Sequence, residues 1–193
     1  MIYILAVLFT ALAVILINFF IGGKYEAAVF FETALITAIS IASVFSIDGI
    51  LAFIIRRLPE KWFKPTAKIF SVGKGEIKFY RKTAIEKWKK YVPEWGCFTG
   101  FHKDRLADPK DSEYIGRFLL ESNYGVAGHI AGAIAGFTIM LIPAFPTLTV
   151  ALPIAAVNAI LSILPTMILR TNTPPLRRLY KRLKERERKE KNI

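Results

Sequence analysis

The sequence predicts an all-α integral membrane protein: four transmembrane helices in two hairpins, a basic, aromatic-rich interfacial loop between them, and an amphipathic C-terminal helix. Three observations predict it. Of 193 residues 53% are hydrophobic, yet the formal net charge is +12, so oily and cationic residues must be segregated. Residues 1–23 carry no charge, 33–55 carry only Asp48, and 124–169 hold no ionisable group besides His129 and Tyr124. Of the 27 Lys and Arg, 16 lie between Arg56 and Arg117 and 10 between Arg170 and Lys191, leaving Lys24. The chain therefore divides into an N-terminal transmembrane hairpin (1–55), a loop (56–120), a C-terminal transmembrane hairpin (121–169) and a basic tail (170–193).

Ile2 to Ile21 supplies about 20 uncharged residues, enough for a helix to cross roughly 30 Å of hydrocarbon. It lacks the positive n-region of a secretory signal and is too long for an h-region. Gly22 to Glu32 reads as a short polar turn. Thr33 to Ile55 forms the second span, which should stop at Arg56-Arg57 ahead of Leu58-Pro59. Asp48 lies about seven residues, roughly 10 Å, inside that end.

The loop repeats Trp, Tyr and Phe among lysines, a mixture suited to the membrane–water interface. Ser71-Val72-Gly73-Lys74-Gly75 reads as a turn and lacks the remainder of a phosphate-binding motif. Thr83 to Val92 is expected to be one amphipathic helix, with Ile85, Trp88, Tyr91 and Val92 on one side, Glu86 paired to Lys90, and Pro93 as its stop. The single cysteine, Cys97, excludes an internal disulfide framework. It reads as packing among aromatics, with a nucleophile beside His102 as the sharper alternative. Two histidines and one cysteine leave no ordinary metal-ligand set.

The third span runs from about Ser122 to Ile142. It opens on Glu121, Ser122 and Asn123 and then turns apolar, with His129 about 10 Å past that opening. An ionisable side chain at such depth costs a few kcal/mol and is rare without a partner or a task. Gly125, Gly128, Gly132 and Gly136 recur at three- and four-residue spacing, so another helix can approach closely. His129 is either a proton acceptor at a helix junction or a neutral imidazole hydrogen-bonded across the bundle. Pro143, Pro146 and Thr147 make a tight hairpin. The fourth span, about Leu148 to Leu169, contains Pro153, Asn158, Ser162 and Pro165, and its prolines free backbone carbonyls for other partners. From Leu176 the tail has helical apolar spacing with Arg and Lys on its other faces, which suits an anionic leaflet. Because the tail adjoins a span, nucleic acid is not its expected partner.

The basic loop and tail must share one side, and the positive-inside rule makes it cytoplasmic. A multi-pass protein of the cell membrane is expected, with both termini in the cytoplasm.

Several segments carry a further signal: Arg57-Leu58-Pro59-Glu60-Lys61-Trp62-Phe63; Glu76 and Tyr80; Lys87-Trp88-Lys89-Lys90-Tyr91-Val92-Pro93-Glu94; Gly100-Phe101-His102-Lys103-Asp104-Arg105-Leu106; Tyr114, Arg117 and Phe118; Glu121-Ser122 with His129 eight residues on; and Arg170-Thr171-Asn172-Thr173-Pro174-Pro175-Leu176. Across about residues 56–182 the chain resembles the glycosyl-4,4'-diaponeurosporenoate acyltransferases of carotenoid biosynthesis. It differs from that family's pattern at Asn123, Tyr124, Val126, Ile130 and Thr173-Pro174-Pro175.

The resemblance implies transfer of a fatty acyl group from acyl-CoA or a similar thioester to a hydroxyl on a membrane lipid or glycolipid, with no further cofactor. A hydroxyl is a poor nucleophile and needs a base. His129 is the first candidate, with Glu121 and Asp48 as the carboxylates that would orient it or bind substrate. Eight residues of helix separate Glu121 from His129 by about 12 Å, which favours Asp48 as the orienting group. His102, followed by Lys103-Asp104, is a rival base. Arg117, Ser122, Arg170 and Asn172 are candidate substrate-binding residues. The alternative is a non-catalytic integral membrane partner or assembly protein packing through its glycine face, a surface that would also suit a homo-oligomer. A channel is disfavoured, because so few intramembrane charges make a poor ion path.

Overall fold

The computed structural model of the protein describes residues 2–21, 26–92 and 106–192. Cys97, the His102-Lys103-Asp104 stretch, Pro93 and the turn at 22–25 lie outside the described residues. Among the described residues every regular element is helical. Four helical stretches are long and apolar enough to cross a membrane: Tyr3–Ile21, Ala27–Arg57, Ser112–Leu141 and Thr147–Glu190. The chain groups into two compact units, one of residues 1–54 with 128–164, the other of 55–127 with 165–193.

The first unit contains α1 (Ile2–Ile21) and most of α2 (Ala27–Arg57). It also takes the end of α5 (Ser112–Ala135), a 3-10 turn over Gly136–Leu141, a π-type turn over Thr147–Ala151, and the start of α6 (Leu152–Glu190). Val14, Val44, Ile139, Phe145, Val150, Ala151, Ile154 and Ala155 form its core. Several hydroxyls here are satisfied within their own helices, as when Thr10 donates to the Ala6 carbonyl and Ser40 to that of Ile36, whereas the buried Thr37 hydroxyl has no partner among the described residues. Such back-bonding makes a hydroxyl tolerable away from water.

The prolines of α6 account for how α1 attaches. Proline has no N–H, so the carbonyl four residues earlier loses its helical donor. Pro165 frees Leu161, and Thr149 lies in the π-type turn just before Pro153. Both carbonyls find a donor on α1: Asn18 Nδ2 lies 3.0 Å from the Thr149 oxygen and the Tyr3 hydroxyl 2.7 Å from that of Leu161. Tyr3→Phe should cost roughly 0.5–1.5 kcal/mol, the scale of interhelical hydrogen bonds in bilayers. In a Pro165→Ala background the same change should cost much less, because the new amide reclaims the Leu161 carbonyl. A double-mutant cycle of unfolding in mixed micelles measures the difference.

The second unit is built from the interfacial segment, the first half of α5 and the end of α6. Its core is Ile115, Phe118, Leu119 and Leu176. The stretch after Pro59 is tied to α5: buried Asn123 donates to the carbonyls of Phe63 (2.8 Å) and Lys64 (3.2 Å), Tyr124 donates to that of Leu58 (3.0 Å), and the Phe63 and Tyr124 rings stack 4.1 Å apart. Phe63, Phe70 and Tyr80 are buried, whereas Trp62, Phe79 and Tyr91 face outward. The aromatics therefore divide between core and surface.

Three expectations are corrected. The amphipathic helix expected over Thr83–Val92 is broken. Instead α3 covers Lys74–Lys82, Ala84 takes a left-handed conformation at φ 50°, and α4 is the single turn Ile85–Trp88, followed by a 3-10 turn at Lys89–Tyr91. The reason is spacing: Tyr80 and Ile85 are both buried, and five residues of continuous helix would point them to different faces. Glu86 accordingly pairs with Lys89, at 2.9 Å, rather than Lys90. Second, Gly75 belongs to α3, so only its first half is left of the turn expected at Ser71–Gly75. Third, the fourth span and the basic tail are not separate helices. They form one α-helix through Pro165, Pro174 and Pro175.

Candidate functional site

In the first unit a carboxylate is held against the backbone of α5. Asp48 on α2 reaches Gly132 so closely that a Cβ there would lie 2.5 Å from Asp48 Oδ1. A methyl there would force the carboxylate or its helix to shift. Asn158 on α6 repeats the arrangement one turn on, where a Cβ on Gly136 would lie 2.8 Å from its Nδ2. The two polar groups also face each other, with Asn158 Nδ2 donating to Asp48 Oδ1 at 3.5 Å. The glycine spacing of the sequence thus receives two polar side chains of the same chain at Gly132 and Gly136. Gly128 has open space.

His129 sits one turn before Gly132 and is partly exposed. Among the described residues its imidazole has no hydrogen-bond partner. Asp48 lies a turn of helix along from His129 and bonds Asn158 instead of the imidazole. Ser162, expected at the same depth, is buried.

In the second unit the predicted polar residues gather in two ion-pair clusters. Glu121 accepts from both terminal nitrogens of Arg56 at 2.6 Å and from Arg117 at 3.1 Å. Arg117 also reaches Glu60 at 3.1 Å. The Arg56 guanidinium lies 5.9 Å over the Tyr124 ring, within the range of a cation–π contact. With its side chain 11% exposed, Glu121 is an anchor for two cations. Ser122 gives its proton to the Phe118 carbonyl at 2.8 Å.

Arg170 belongs to the second cluster. It grips Glu76 through Nε and Nη2 and donates to the Ser71 carbonyl at 3.2 Å. The Tyr80 hydroxyl donates to the same carboxylate. Arg177, two turns on, donates to Ser71 Oγ at 3.0 Å and to the Ala67 carbonyl at 2.8 Å. Asn172 is half-buried and partnered. The Arg170 hydrogen bonds hold the Glu76 carboxyl below its ordinary 4.5, with Tyr80 adding to the effect. Burial first, and then the neighbouring carboxylate, push the Tyr80 phenol up to about 12.

A carboxyl with a depressed pKa stabilises the fold above its unfolded pKa, and that contribution disappears as pH falls through the folded value. The protein in detergent should therefore lose thermal stability below about pH 4.5. Glu76→Gln should be less stable at pH 7 and should flatten that part of the pH profile, which a melting series at fixed ionic strength measures.

Sequence reasoning selected Arg170 but missed Glu76 and Tyr80 as its partners. The available signal was their i, i+4 spacing, which puts a carboxylate and a phenol on one face of a helix. The candidate base His102 lies outside the described residues, as does Asp104.

Comparison with known proteins adds one match. The family model for glycosyl-4,4'-diaponeurosporenoate acyltransferase matches residues 59–182. No curated protein and no solved structure matches. The matched region takes in His129, Glu121, Arg117, Ser122, Arg170 and Asn172, whereas Asp48 and Arg56 precede it.

Proposed function

The chain belongs to the glycosyl-4,4'-diaponeurosporenoate acyltransferase family, and on that footing we propose that it moves a fatty acyl group from acyl-CoA or a similar thioester to a hydroxyl of a membrane lipid or glycolipid, with His129 as general base. The observation that carries this is the position of His129: an imidazole without a hydrogen-bond partner among the described residues, inside the family-matched stretch and one turn from a glycine that holds Asp48. Neutral imidazole takes the proton of the acceptor hydroxyl as its oxygen attacks the thioester carbonyl. The carbon–sulfur bond then breaks, the ester forms, and the imidazolium returns the proton to the departing thiolate. One thioester and one alcohol give one ester and one thiol.

The remaining residues have supporting roles. Asp48 supplies negative charge near the transient imidazolium, which favours the charged intermediate. Glu121 holds Arg56 and Arg117, and Glu76 holds Arg170, so these guanidinia are fixed while keeping spare N–H donors for substrate. The excess of Lys and Arg in residues 56–120 and 170–193 supports a cytoplasmic loop and tail, where soluble thioesters are found. The non-catalytic alternative needs a free glycine face, and Asp48 and Asn158 occupy it at Gly132 and Gly136.

Mass spectrometry of membrane lipids from cells with and without the protein tests the reading. One lipid class should gain the mass of an acyl group only when the protein is present. Identical lipid profiles, with the protein verified in the membrane, would exclude it.

A further inference from the structure

The transfer reaction leaves one cation of the second unit unused. Arg177 donates through Nη1 to Ser71 Oγ and through Nη2 to the Ala67 carbonyl, while its Nε is buried and meets no acceptor. A guanidinium carries five N–H groups, so one hydrogen on each Nη remains. Arg170 bonds the carbonyl of the same Ser71, which brings the two guanidinia together, and the charge acting on Arg177 is this like one. The nearby carboxylate, Glu76, is gripped by Arg170. Two neighbouring cations, partly shielded from water, thus share one carboxylate.

The surroundings also favour an anion. Ser71 Oγ accepts from Arg177 and keeps its own hydrogen to donate. Two residues on, α3 begins after Gly73 with no side-chain cap, so amides of its first turn lack the acceptor that a capping side chain supplies. A Cβ on Gly73 or Gly75 would meet nothing within 4 Å, and Lys74 between them is exposed. A planar guanidinium fork matches two oxygens of a phosphate at once.

We propose that Arg177, with Arg170 and Ser71, forms a phosphate-binding site beside the start of α3. Its ligand is a phosphate ester, carried on a lipid headgroup or on a soluble molecule. The site does not depend on the acyl-transfer reading, and its test involves no turnover.

The full chain is held in dodecyl maltoside, which contains no phosphate, and its melting temperature is followed during titration. One arm adds adenosine 3',5'-bisphosphate, a soluble ester; the other adds dioctanoyl phosphatidylglycerol, with dioctanoylglycerol as its phosphate-free control. Saturable stabilisation by the bisphosphate alone assigns a soluble ligand, and by the phospholipid alone a headgroup; either upholds the site. Arg177→Gln should weaken the effective probe at least about tenfold, the loss of a charge-assisted hydrogen bond. Lys191→Gln, which removes a charge from the tail, should leave binding unchanged. If Arg177→Gln fails to fold, Ser71→Ala, at an exposed hydroxyl, should weaken binding about threefold, the scale of one neutral hydrogen bond. Stabilisation by neither phosphate probe, or no more than dioctanoylglycerol gives, overturns the proposal. So does equal weakening by Lys191→Gln, which would show only a general attraction to positive charge.

Discussion

His129→Ala is expected to abolish lipid acylation, by about 10²- to 10⁴-fold, the contribution typical of a positioned proton acceptor, while leaving the protein in the membrane. The two readings of this histidine separate on stability as well as activity. A neutral imidazole bonded across the bundle would be part of the packing, and its loss would lower the melting temperature and activity together. The imidazole lacks a hydrogen-bond partner among the described residues and is partly exposed, so its removal leaves no orphaned group behind. Melting in detergent should move little. Asp48→Asn should reduce transfer by less than His129→Ala, because the carboxylate acts on the imidazolium from a turn away. Full acylation in the His129→Ala protein would remove the proposed mechanism and direct attention to His102.

The second large effect is expected at Gly132. Glycine to alanine inside a helix ordinarily stabilises by roughly 0.5–1 kcal/mol. At Gly128, where a Cβ would meet nothing within 4 Å, that sign should hold. At Gly132 it should reverse. The new methyl would fall 2.5 Å from Asp48 Oδ1, and either α2 or the carboxylate must shift, at a cost of about 1–3 kcal/mol. Acyl transfer should fall with it. Combining Gly132→Ala with Asp48→Ala should recover stability without recovering activity, since the space is restored and the charge is not. Equal melting temperatures for Gly128→Ala and Gly132→Ala would show that the carboxylate does not rest on that glycine.

The spans were readable because a bilayer demands long uncharged runs. The first covers the expected Ile2–Ile21; the second ends at Arg57, just ahead of Pro59, but begins at Ala27 rather than Thr33, so helix takes over the end of the polar turn expected at Gly22–Glu32. The helix boundaries inside the interfacial segment were not readable. Its apolar period drifts between Tyr80 and Ile85, and the break at Ala84 falls on a residue with no turn preference of its own. Glycines 132 and 136 announced a close approach, but not that the visitors would be Asp48 and Asn158. Pairings such as Glu76 with Arg170, 94 residues apart, are set by how helices come together, which no local pattern encodes. The prolines are an intermediate case: the liberated carbonyls were foreseeable, the donors that claim them were not.

Those donors constrain the order of assembly. Of the four spans, the one synthesised earliest holds Tyr3 and Asn18, and the carbonyls they bind belong to residues made 158 and 131 positions later. Asn18 also bonds the Val14 carbonyl of its own helix, 2.8 Å away, an acceptor it has before Thr149 is made. During synthesis the tyrosine hydroxyl must therefore wait for a stretch of chain not yet translated, although α1 already has α2 to pack against through Val14 and Val44.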